Sequence, residues 1–432
     1  MANALDPHAA IVTTAAGETD GTLTTADGRP LARALARSQR RAKRRAFLLV
    51  LPLLAFILIT FVVPIGQMLQ RSFYNDGFSA NMPQISAWFA NNPRGTPPDD
   101  AAWTALATDL QASAEERSIG VVGTRINYDV PGTRSLFTST GRKVRRGLEP
   151  PYKETLLAID EQWQSPQLWS AMRNAATPYT GNFYLAALDR TRADDGSIEQ
   201  VPERQQVYVM LFMRTFWLSL LITGLTFVLG FPVAHLLATL PMRKSNLLMI
   251  LVLLPFWTSL LVRTTSWMVL LQQQGVINDL LVWVGVIDNG QRLQMIYNRT
   301  GTIIAMTHIL LPFMILPLYS VMRTINPSYV RAARSLGATS WTAFRRIYFP
   351  QTLPGLGAGA LLVFILAVGY YITPALVGGS SGQLISNMIA THMTDTLNWS
   401  MAAALAALLL ASVLVLYWLY DRLVGIDNLK LG

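Results

Sequence analysis

Residues 331–350 read RAARSLGATSWTAFRRIYFP, a basic stretch that stands between two long apolar runs. From Tyr329, apolar residues recur at i, i+3, i+4 and i+7, which predicts a short helix with one apolar face. Ser328 is a candidate cap for the start of this helix, and Gly337 suits the left-handed turn at its end. Pro350 is expected to stop a second short helix. The stretch is therefore predicted to be two short helices joined by a glycine hinge.

The composition around this stretch is that of a membrane protein. Of the 432 residues, 51% are hydrophobic and only 14% are charged, whereas about a quarter of the residues of a soluble domain are charged. The net charge of +10 comes from basic residues beside the apolar runs, which does not fit a nucleic-acid-binding patch. The chain has no cysteine, and its four histidines are scattered, so no metal site is predicted.

Six uncharged runs are long enough to cross a bilayer as helices. The first follows seven basic residues that occur without an acid between residues 33 and 45. Basic residues also follow the second, fourth and sixth runs, so the positive-inside rule predicts cytoplasmic N- and C-termini. The runs are 47–66, 215–240, 246–271, 301–322, 352–377 and 401–420.

Most of the apolar runs lack the residues of catalytic or ion-coupling sites. No GxxxxGK[ST] motif is present, so the chain is not predicted to bind ATP itself, and no catalytic residue is predicted. Asp and Glu are nearly absent from the runs, which disfavours a proton- or sodium-coupled carrier. GLGAGA at 355–360 lacks the spacing of a dinucleotide loop and predicts close helix packing through small residues.

Arg263 is a charged residue inside an apolar run, because it lies within the third run, 246–271. On a straight helix from Asn246 it is expected roughly 25 Å along the axis, near the outer interface. Two interpretations are open: the side chain extends to the interface, or it lines a polar path. Asp279 and Asp288 are expected at the outer side, where they would guide a cation or stand as solvated loop acids.

Residues 73–206, called the insertion below, differ from the rest of the chain. They contain two Pro-Pro pairs and nearly balanced acids and bases, and they are long enough for a small domain. RSIGVVGTRINYDV (117–130) is predicted to supply strands and SPQLWSAMRNAA (165–176) a helix, which makes the insertion mixed α/β. The charge pattern places it outside the membrane, and its lack of histidine weakens general acid–base schemes for a membrane-anchored enzyme.

From the residues alone, 331–350 is also consistent with a connector whose arginines simply follow the positive-inside rule. Its spacing, however, resembles the cytoplasmic EAA loop of binding-protein-dependent ABC importer permeases: EAA, three residues, Gly, nine residues, then I-x-L-P. Arg331-Ala332-Ala333, Gly337, Ile347 and Phe349-Pro350 stand in that register. Arg331 replaces the Glu of the pattern, and Phe349 replaces the Leu.

The resemblance extends over most of residues 207–424. SLLVRTTSWMVLLQQQGVINDLLVWVGVID (259–288) and GYYITPALVGG (369–379) are similar to the spermidine/putrescine-type permease subunits. The resemblance implies an all-α polytopic membrane protein with six transmembrane helices of the type I ABC importer permease fold. The implied ATPase-coupling residues are Arg331, Ala332, Ala333, Leu336, Gly337, Ile347 and Pro350. The candidate residues of a substrate path are Trp257, Arg263, Trp267, Tyr370 and Tyr371.

The same resemblance implies the partners. They are two ATPase subunits that carry ATP and Mg, a second permease subunit in a heterodimer, and a periplasmic substrate-binding protein, in the bacterial inner membrane. The implied substrate is a polyamine or a related small solute such as an amino-acid derivative, opine or phosphonate; a secondary carrier is a more distant alternative. The insertion is longer than the family pattern, and either docking of the binding protein or a stabilising extension explains it.

The predicted order along the chain is a basic, disordered cytoplasmic tail, a transmembrane helix, the periplasmic insertion, a five-helix permease core with a coupling loop, and a second cytoplasmic tail. The predicted bounds are 1–45, 46–72, 73–206, 207–424 (coupling loop 326–350) and 425–432.

Overall fold

The structure is a computed structural model, and it describes residues 31–145, 147–193 and 195–424. Residues 1–30 of the predicted first tail and the second tail at 425–432 lie outside the described residues. The prediction of disorder for 31–45 is wrong, because these residues form the start of helix Leu31–Ile57. The chain divides into two compact units, one up to Met68 and one from Leu69 onward.

The first apolar run forms a helix that contains a π-turn. The turn lies just before Pro64, whose ring would clash with the carbonyl four residues earlier in a regular helix. The wider turn, in which Val63 N–H bonds to the Leu58 carbonyl, relieves that clash. The segments are Leu31–Ile57, the π-turn Leu58–Val62 and Val63–Phe73.

The insertion is mainly helical. The prediction of strands within 117–130 is wrong, because this stretch forms the helix Ile119–Asn127, on which Val122 and Ile126 are buried at a helical spacing. The predicted helix at 165–176 is confirmed as Pro166–Ala175. The other helices are Pro83–Asn91, Asp100–Glu115, Thr133–Val144, Tyr152–Ile159 and Asn182–Ala187, with 3₁₀ turns at Glu161–Gln164 and Glu203–Gln205.

Strand structure in the described part of the insertion is limited to one antiparallel hairpin. Arg190–Arg192 pairs with Ile198–Gln200, and Thr191 lies opposite Glu199. Both strands are exposed and three residues long, so they contribute nothing to the core. The hairpin gives the insertion its mixed α/β character.

An aromatic core holds the insertion together. Trp163 is fully buried, packs edge-on to Phe137 at 5.0 Å between ring centroids, and donates its Nε1–H to Thr140 Oγ1 at 3.1 Å. Asp109 is also buried, and its Oδ2 accepts the Ile85 N–H at 2.8 Å. Burial raises the pKa of the Asp109 carboxyl, because the apolar surroundings disfavour its charged form.

The two ends of the insertion lie side by side. Asn75 N–H donates to the Pro178 carbonyl and Thr180 N–H donates to the Phe73 carbonyl, both at 2.8 Å. From this junction the insertion contacts the last long helix, because Asn75 Nδ2 donates to Ser400 Oγ at 3.0 Å. The insertion therefore leaves and re-enters the membrane-spanning part at one place.

Helices also dominate the membrane-spanning part, which confirms the predicted all-α polytopic fold. Among the described residues, five helices are long and apolar enough to cross a membrane, or six if a bent pair counts as one. The helices are Tyr208–Thr239, Met242–Leu253, Leu260–Leu270, Val276–Trp283, Arg299–Thr324, Pro327–Ser335, Ser340–Ala343, Phe349–Gly369, Ile372–Val377, Gly379–Gly382, Ile385–Thr394 and Trp399–Val424. Phe344–Tyr348 is a π-turn, and Leu254–Trp257 and Asn289–Gln291 are 3₁₀ turns.

The third apolar run is the bent pair. Met242–Trp257 and Leu260–Leu270 meet at 97°, so the expectation of one straight helix to residue 271 is wrong. Pro255 lacks the N–H that a regular helix needs, and the chain tightens into a 3₁₀ turn before Thr258 takes an extended conformation. The straight-helix height of about 25 Å for Arg263 therefore does not apply.

Small residues bring the long helices together, as the sequence predicts for 355–360. A Cβ added to Gly355 would lie 2.8 Å from the Pro317 carbonyl oxygen, and one added to Gly359 would lie 2.9 Å from Met314 Sδ. Helix Phe349–Gly369 can thus approach helix Arg299–Thr324 closely only because these positions lack side chains.

Candidate functional site

The coupling segment, residues 326–350, begins with the helix Pro327–Ser335. Asn326 caps it, since its side chain accepts the Ser328 N–H at 2.9 Å; the expectation that Ser328 is the cap is wrong. Pro327 fills the first helical position, where its missing N–H has no cost. At the other end, Gly337 has φ +90, the left-handed conformation that its sequence position predicts.

Four of the predicted coupling residues lie on this helix or at its end. Arg331 and Ala332 are exposed, and Ala333 is half-buried. Leu336, at the helix end, is 89% exposed. Tyr329 and Trp341 are also exposed, at 55% and 67%, so the segment exposes three large apolar side chains within thirteen residues, and a group of exposed apolar side chains is typical of a surface that another protein covers.

The second part of the segment does not stop at Pro350. Ser340–Gly369 runs as one helix of 30 residues with a π-turn at Phe344–Tyr348. Pro350 is tolerated because the π-turn, in which Phe349 N–H bonds to the Phe344 carbonyl, removes the clash that a regular turn would produce. Ile347 and Pro350 thus belong to a spanning helix, whereas residues 331–337 belong to the hinged helix before it.

Polar contacts fix the coupling segment to the spanning helices. His235 Nδ1 and the Tyr348 hydroxyl lie 3.0 Å apart, and Arg323 donates to the Ala238 carbonyl at 2.9 Å. These contacts join helix Tyr208–Thr239 to both sides of the segment. The spacing of the sequence gave no sign of them, since His235 and Tyr348 are 113 residues apart.

A pocket of about 580 Å³ lies between the segment and the spanning helices. Its charged side chains are Arg323, Arg331 and Arg334, and its lining contains no Asp or Glu. The remaining lining residues are His235, Ala238, Thr239, Met322, Ile325, Pro327, Val330, Ser340, Phe344 and Tyr348. The pocket is therefore electropositive, and Arg331 in place of the family's Glu contributes to that charge.

The candidate path residues lie on both sides of the break in the third run. Trp257 ends the 3₁₀ turn before the break and is 75% exposed. Arg263 and Trp267 lie on the helix after it, where Trp267 Nε1–H donates to His308 Nδ1 at 3.1 Å. Arg263 lies four residues before Trp267, on the same face of this helix, so the Trp267–His308 contact brings helix Arg299–Thr324 to the Arg263 face.

Tyr370 and Tyr371 mark the end of helix Phe349–Gly369. Their carbonyl oxygens accept hydrogen bonds from Ser386 Oγ at 2.5 Å and Asn387 Nδ2 at 2.8 Å. Tyr371 is 47% exposed, so its ring stays available for contact. Of the five predicted path residues, Arg263 and Trp267 share one helix face, and Trp267 contacts His308, which the sequence pattern did not indicate. Their role in a substrate path stays a prediction.

Residues 207–425, about half of the chain, match the family described as binding-protein-dependent transport system inner membrane component. The chain belongs to this family. With the apolar helices, the match identifies a multi-pass inner-membrane permease subunit of the ABC importer type. The match contains the coupling segment and the predicted path residues, and the insertion lies before it.

Two curated relatives resemble the permease region. The spermidine/putrescine transport system permease protein PotB of Escherichia coli (strain K12) is 35% identical over 222 residues, covering 51% of this chain and 80% of the relative. The inner membrane ABC transporter permease protein YdcU of the same organism is 31% identical over 204 residues, covering 45% of this chain and 65% of the relative.

Among solved structures, a bacterial ABC transporter involved in the import of the acidic polysaccharide alginate aligns with a TM-score of 0.45 and 17% identity. The alignment covers 71% of this permease and 99% of that chain.

Proposed function

We propose that this permease is the membrane-spanning subunit of an ATP-driven importer for a polyamine or a related small organic solute. The observation that carries the proposal is the coupling segment. It keeps the family's spacing, turns at Gly337 in the left-handed conformation and exposes Leu336 almost fully. The similarity to the spermidine/putrescine permease PotB supports the solute class.

The proposal includes partners of stated kinds. Two ATPase subunits hold ATP and Mg, a second permease subunit completes a heterodimer, and a periplasmic binding protein delivers the solute. In this arrangement both termini and the coupling segment face the cytoplasm, and the insertion faces the periplasm. The chain itself takes no part in ATP chemistry.

The contacts of the coupling segment support a route for the coupling. When the ATPase subunits close, they push on the hinged helix Pro327–Ser335. That helix is continuous with Arg299–Thr324 through residues 325 and 326, and the His235–Tyr348 contact ties Ser340–Gly369 to Tyr208–Thr239. A displacement of the segment therefore moves three packed spanning helices together, as a switch between outward and inward openings requires.

One observation favours the related solutes (amino-acid derivatives, opines and phosphonates) over a polyamine. A polyamine path needs carboxylates for its ammonium groups, yet residues 207–424 contain only four Asp and no Glu. Asp279, one of the two acids expected to guide a cation, forms an ion pair with Arg292 at 2.8 Å. Its charge is therefore already compensated.

Affinity purification of this permease from its native membranes tests the importer function. We expect an ATPase subunit and a binding protein to co-purify. Leu336→Asp is expected to reduce recovery of the ATPase subunit at least about tenfold, because it places a charge where an apolar contact forms. Leu188→Asp is the matched control, since Leu188 is an exposed leucine of the insertion.

Two results would contradict the proposal. The first is recovery of the intact wild-type permease without any ATPase subunit. The second is equal ATPase recovery with Leu336→Asp and Leu188→Asp, which would mean that the exposed leucine of the segment is not at the interface.

A further inference from the structure

We infer that the translocation path contains a binding site for an oxyanion of the solute, a carboxylate or a phosphonate, at Arg263. The inference rests on the proposed importer function and narrows its solute class. It places the site on two elements, helix Leu260–Leu270 and helix Arg299–Thr324, which the Trp267–His308 hydrogen bond joins.

The position of Arg263 in the fold supports a ligand site. It lies five residues after the extended Thr258 and within the first turn of the half-helix that follows the 97° break. Breaks of this kind in membrane-spanning helices occur where the chain lines a cavity, because elsewhere the freed backbone groups would lack hydrogen bonds. Arg263 therefore lies where a permease can expose a polar group to its cargo.

The charge of Arg263 is uncompensated within the described residues. It forms no ion pair there, and its Nε is buried without a hydrogen-bond partner. Asp279, the next acid along the chain, is already paired with Arg292. A partly buried guanidinium without a counter-ion is costly, and an anionic group of the cargo removes that cost.

The neighbouring helix also presents a hydrogen-bond donor at this site. His308 Nδ1 accepts the Trp267 Nε1–H, so the neutral ring carries its proton on Nε2 and offers it as a donor. A guanidinium beside such a donor matches an oxyanion and repels an ammonium group.

An aromatic ring near this site suits the rest of such a solute. The half-buried Trp267, one turn after Arg263 on the same helix, supplies a ring face that can contact an alkyl chain or an ammonium group. The solute class that fits is therefore a small amino acid-like compound with an oxyanion at one end, rather than a compound that carries only positive charges.

The test uses the complete importer, purified with its ATPase subunits and binding protein and reconstituted into proteoliposomes. The solute carried by the co-purified binding protein is extracted and identified by mass spectrometry, and that compound, labelled, is the uptake probe. We expect it to contain a carboxylate or a phosphonate. Arg263→Gln is expected to reduce its uptake at least about thirtyfold, the usual effect of removing one partner of a buried charge pair.

Two further variants separate binding from folding. Arg263→Lys keeps the charge but not the two-pronged geometry, so we expect partial uptake with a raised KM. Arg243→Gln is the matched control, because Arg243 is exposed on helix Met242–Leu253, and its uptake should equal wild type. Recovery of the ATPase subunits with each variant reports on assembly. If Arg263→Gln fails to assemble, the KM of Arg263→Lys becomes the test: a raised KM supports the oxyanion site, and a wild-type KM contradicts it.

The outcomes are distinct. A solute that has only ammonium groups, or full uptake by Arg263→Gln, would overturn the oxyanion site and leave the importer function intact. Recovery without an ATPase subunit and a binding protein would overturn the importer function, and the oxyanion site with it.

Discussion

At the scale of single residues, charge distinguishes the coupling segment from the family pattern. Arg331 stands where the pattern has Glu, and it lines the electropositive pocket together with Arg323 and Arg334. Arg323 is held by the Ala238 carbonyl, whereas the Arg331 side chain is exposed on the face of its helix that lines the pocket. A partner that covers this surface therefore needs acidic groups opposite Arg331.

Arg331→Glu tests that complementarity. We expect the reversal to reduce recovery of the ATPase subunit about five- to tenfold, because it places like charges opposite each other at the interface. Recovery should fall further as salt is lowered, since screening then weakens. Arg346→Glu, an exposed arginine on the π-turn, is the control for charge alone. Unchanged recovery and transport with Arg331→Glu would show that this position does not define the docking.

Asp109 gives a second prediction at this scale. Because burial raises its pKa in the folded state, its contribution to folding is favourable at low pH and is lost as pH rises through that pKa. Asp109→Asn keeps an acceptor for the Ile85 N–H but cannot ionise. We expect it to stabilise the insertion at pH 7 by about 1 kcal/mol, with no advantage below about pH 4.

Hydrogen exchange of helix Asp100–Glu115 in the full-length protein measures this effect. Asp99→Asn is the control, because the exposed Asp99 caps the same helix through the Ala102 N–H and asparagine caps equally well. A lower stability of Asp109→Asn at pH 7 would contradict the prediction.

At the residue scale, the sequence predicts backbone torsion angles better than side-chain contacts. Gly337 was correctly predicted in the left-handed conformation, since glycine adopts it without a steric cost. The sequence does not distinguish Asn326 from Ser328 as the cap, because both residue types cap helices. In the structure Pro327 occupies the first helical position, which makes Asn326 the cap. The Trp267–His308 contact was missed because no local spacing encodes a pair 41 residues apart.

At the scale of elements, length and hydropathy identified the spanning runs but not their shape. The break after Trp257 depends on Pro255, which a hydropathy window does not weigh. In the insertion, the valines and isoleucines of 117–130 suggested strands, yet they bury one helix face. Tertiary packing against Phe137 overrides β-propensity there, with Gly123 allowing the close approach.

The paired ends of the insertion make it removable as an element. We expect that replacing residues 76–177 by a short Gly-Ser linker leaves the permease in the membrane and bound to its ATPase, because Tyr74 and Tyr179 are already bridged. If the insertion docks the binding protein, stimulation of ATPase activity by that protein should fall at least about tenfold. The assay is ATPase activity in proteoliposomes with increasing binding protein.

The control for the excision is Trp163→Ala. It removes the largest fully buried side chain of the insertion and is expected to cost about 3–5 kcal/mol. It therefore disrupts the domain while keeping its chain length. Unchanged stimulation in both variants would rule out docking and leave the insertion as a stabilising extension.

At the scale of the whole molecule, the distribution of charge is the strongest organising feature. Residues 207–424 contain four Asp, no Glu and twelve Lys or Arg. Five of those basic residues lie in the coupling segment or three residues before it. Arg331, Arg334, Arg345 and Arg346 are in the segment, and Arg323 precedes it. From this distribution the positive-inside rule predicts that the coupling segment lies in the cytoplasm and the insertion on the opposite side.

The natural absence of cysteine allows a direct test of this topology, because any introduced thiol is the only one in the chain. Ala90→Cys lies exposed on helix Pro83–Asn91 of the insertion, and Ser335→Cys lies exposed at the end of helix Pro327–Ser335. A membrane-impermeant maleimide added to spheroplasts is expected to label Ala90→Cys fully. Ser335→Cys should be labelled only after the membrane is permeabilised, because the rule places it inside. Labelling of both sites in intact spheroplasts would contradict six spans with cytoplasmic termini, and it would also remove the cytoplasmic ATPase from reach of the coupling segment.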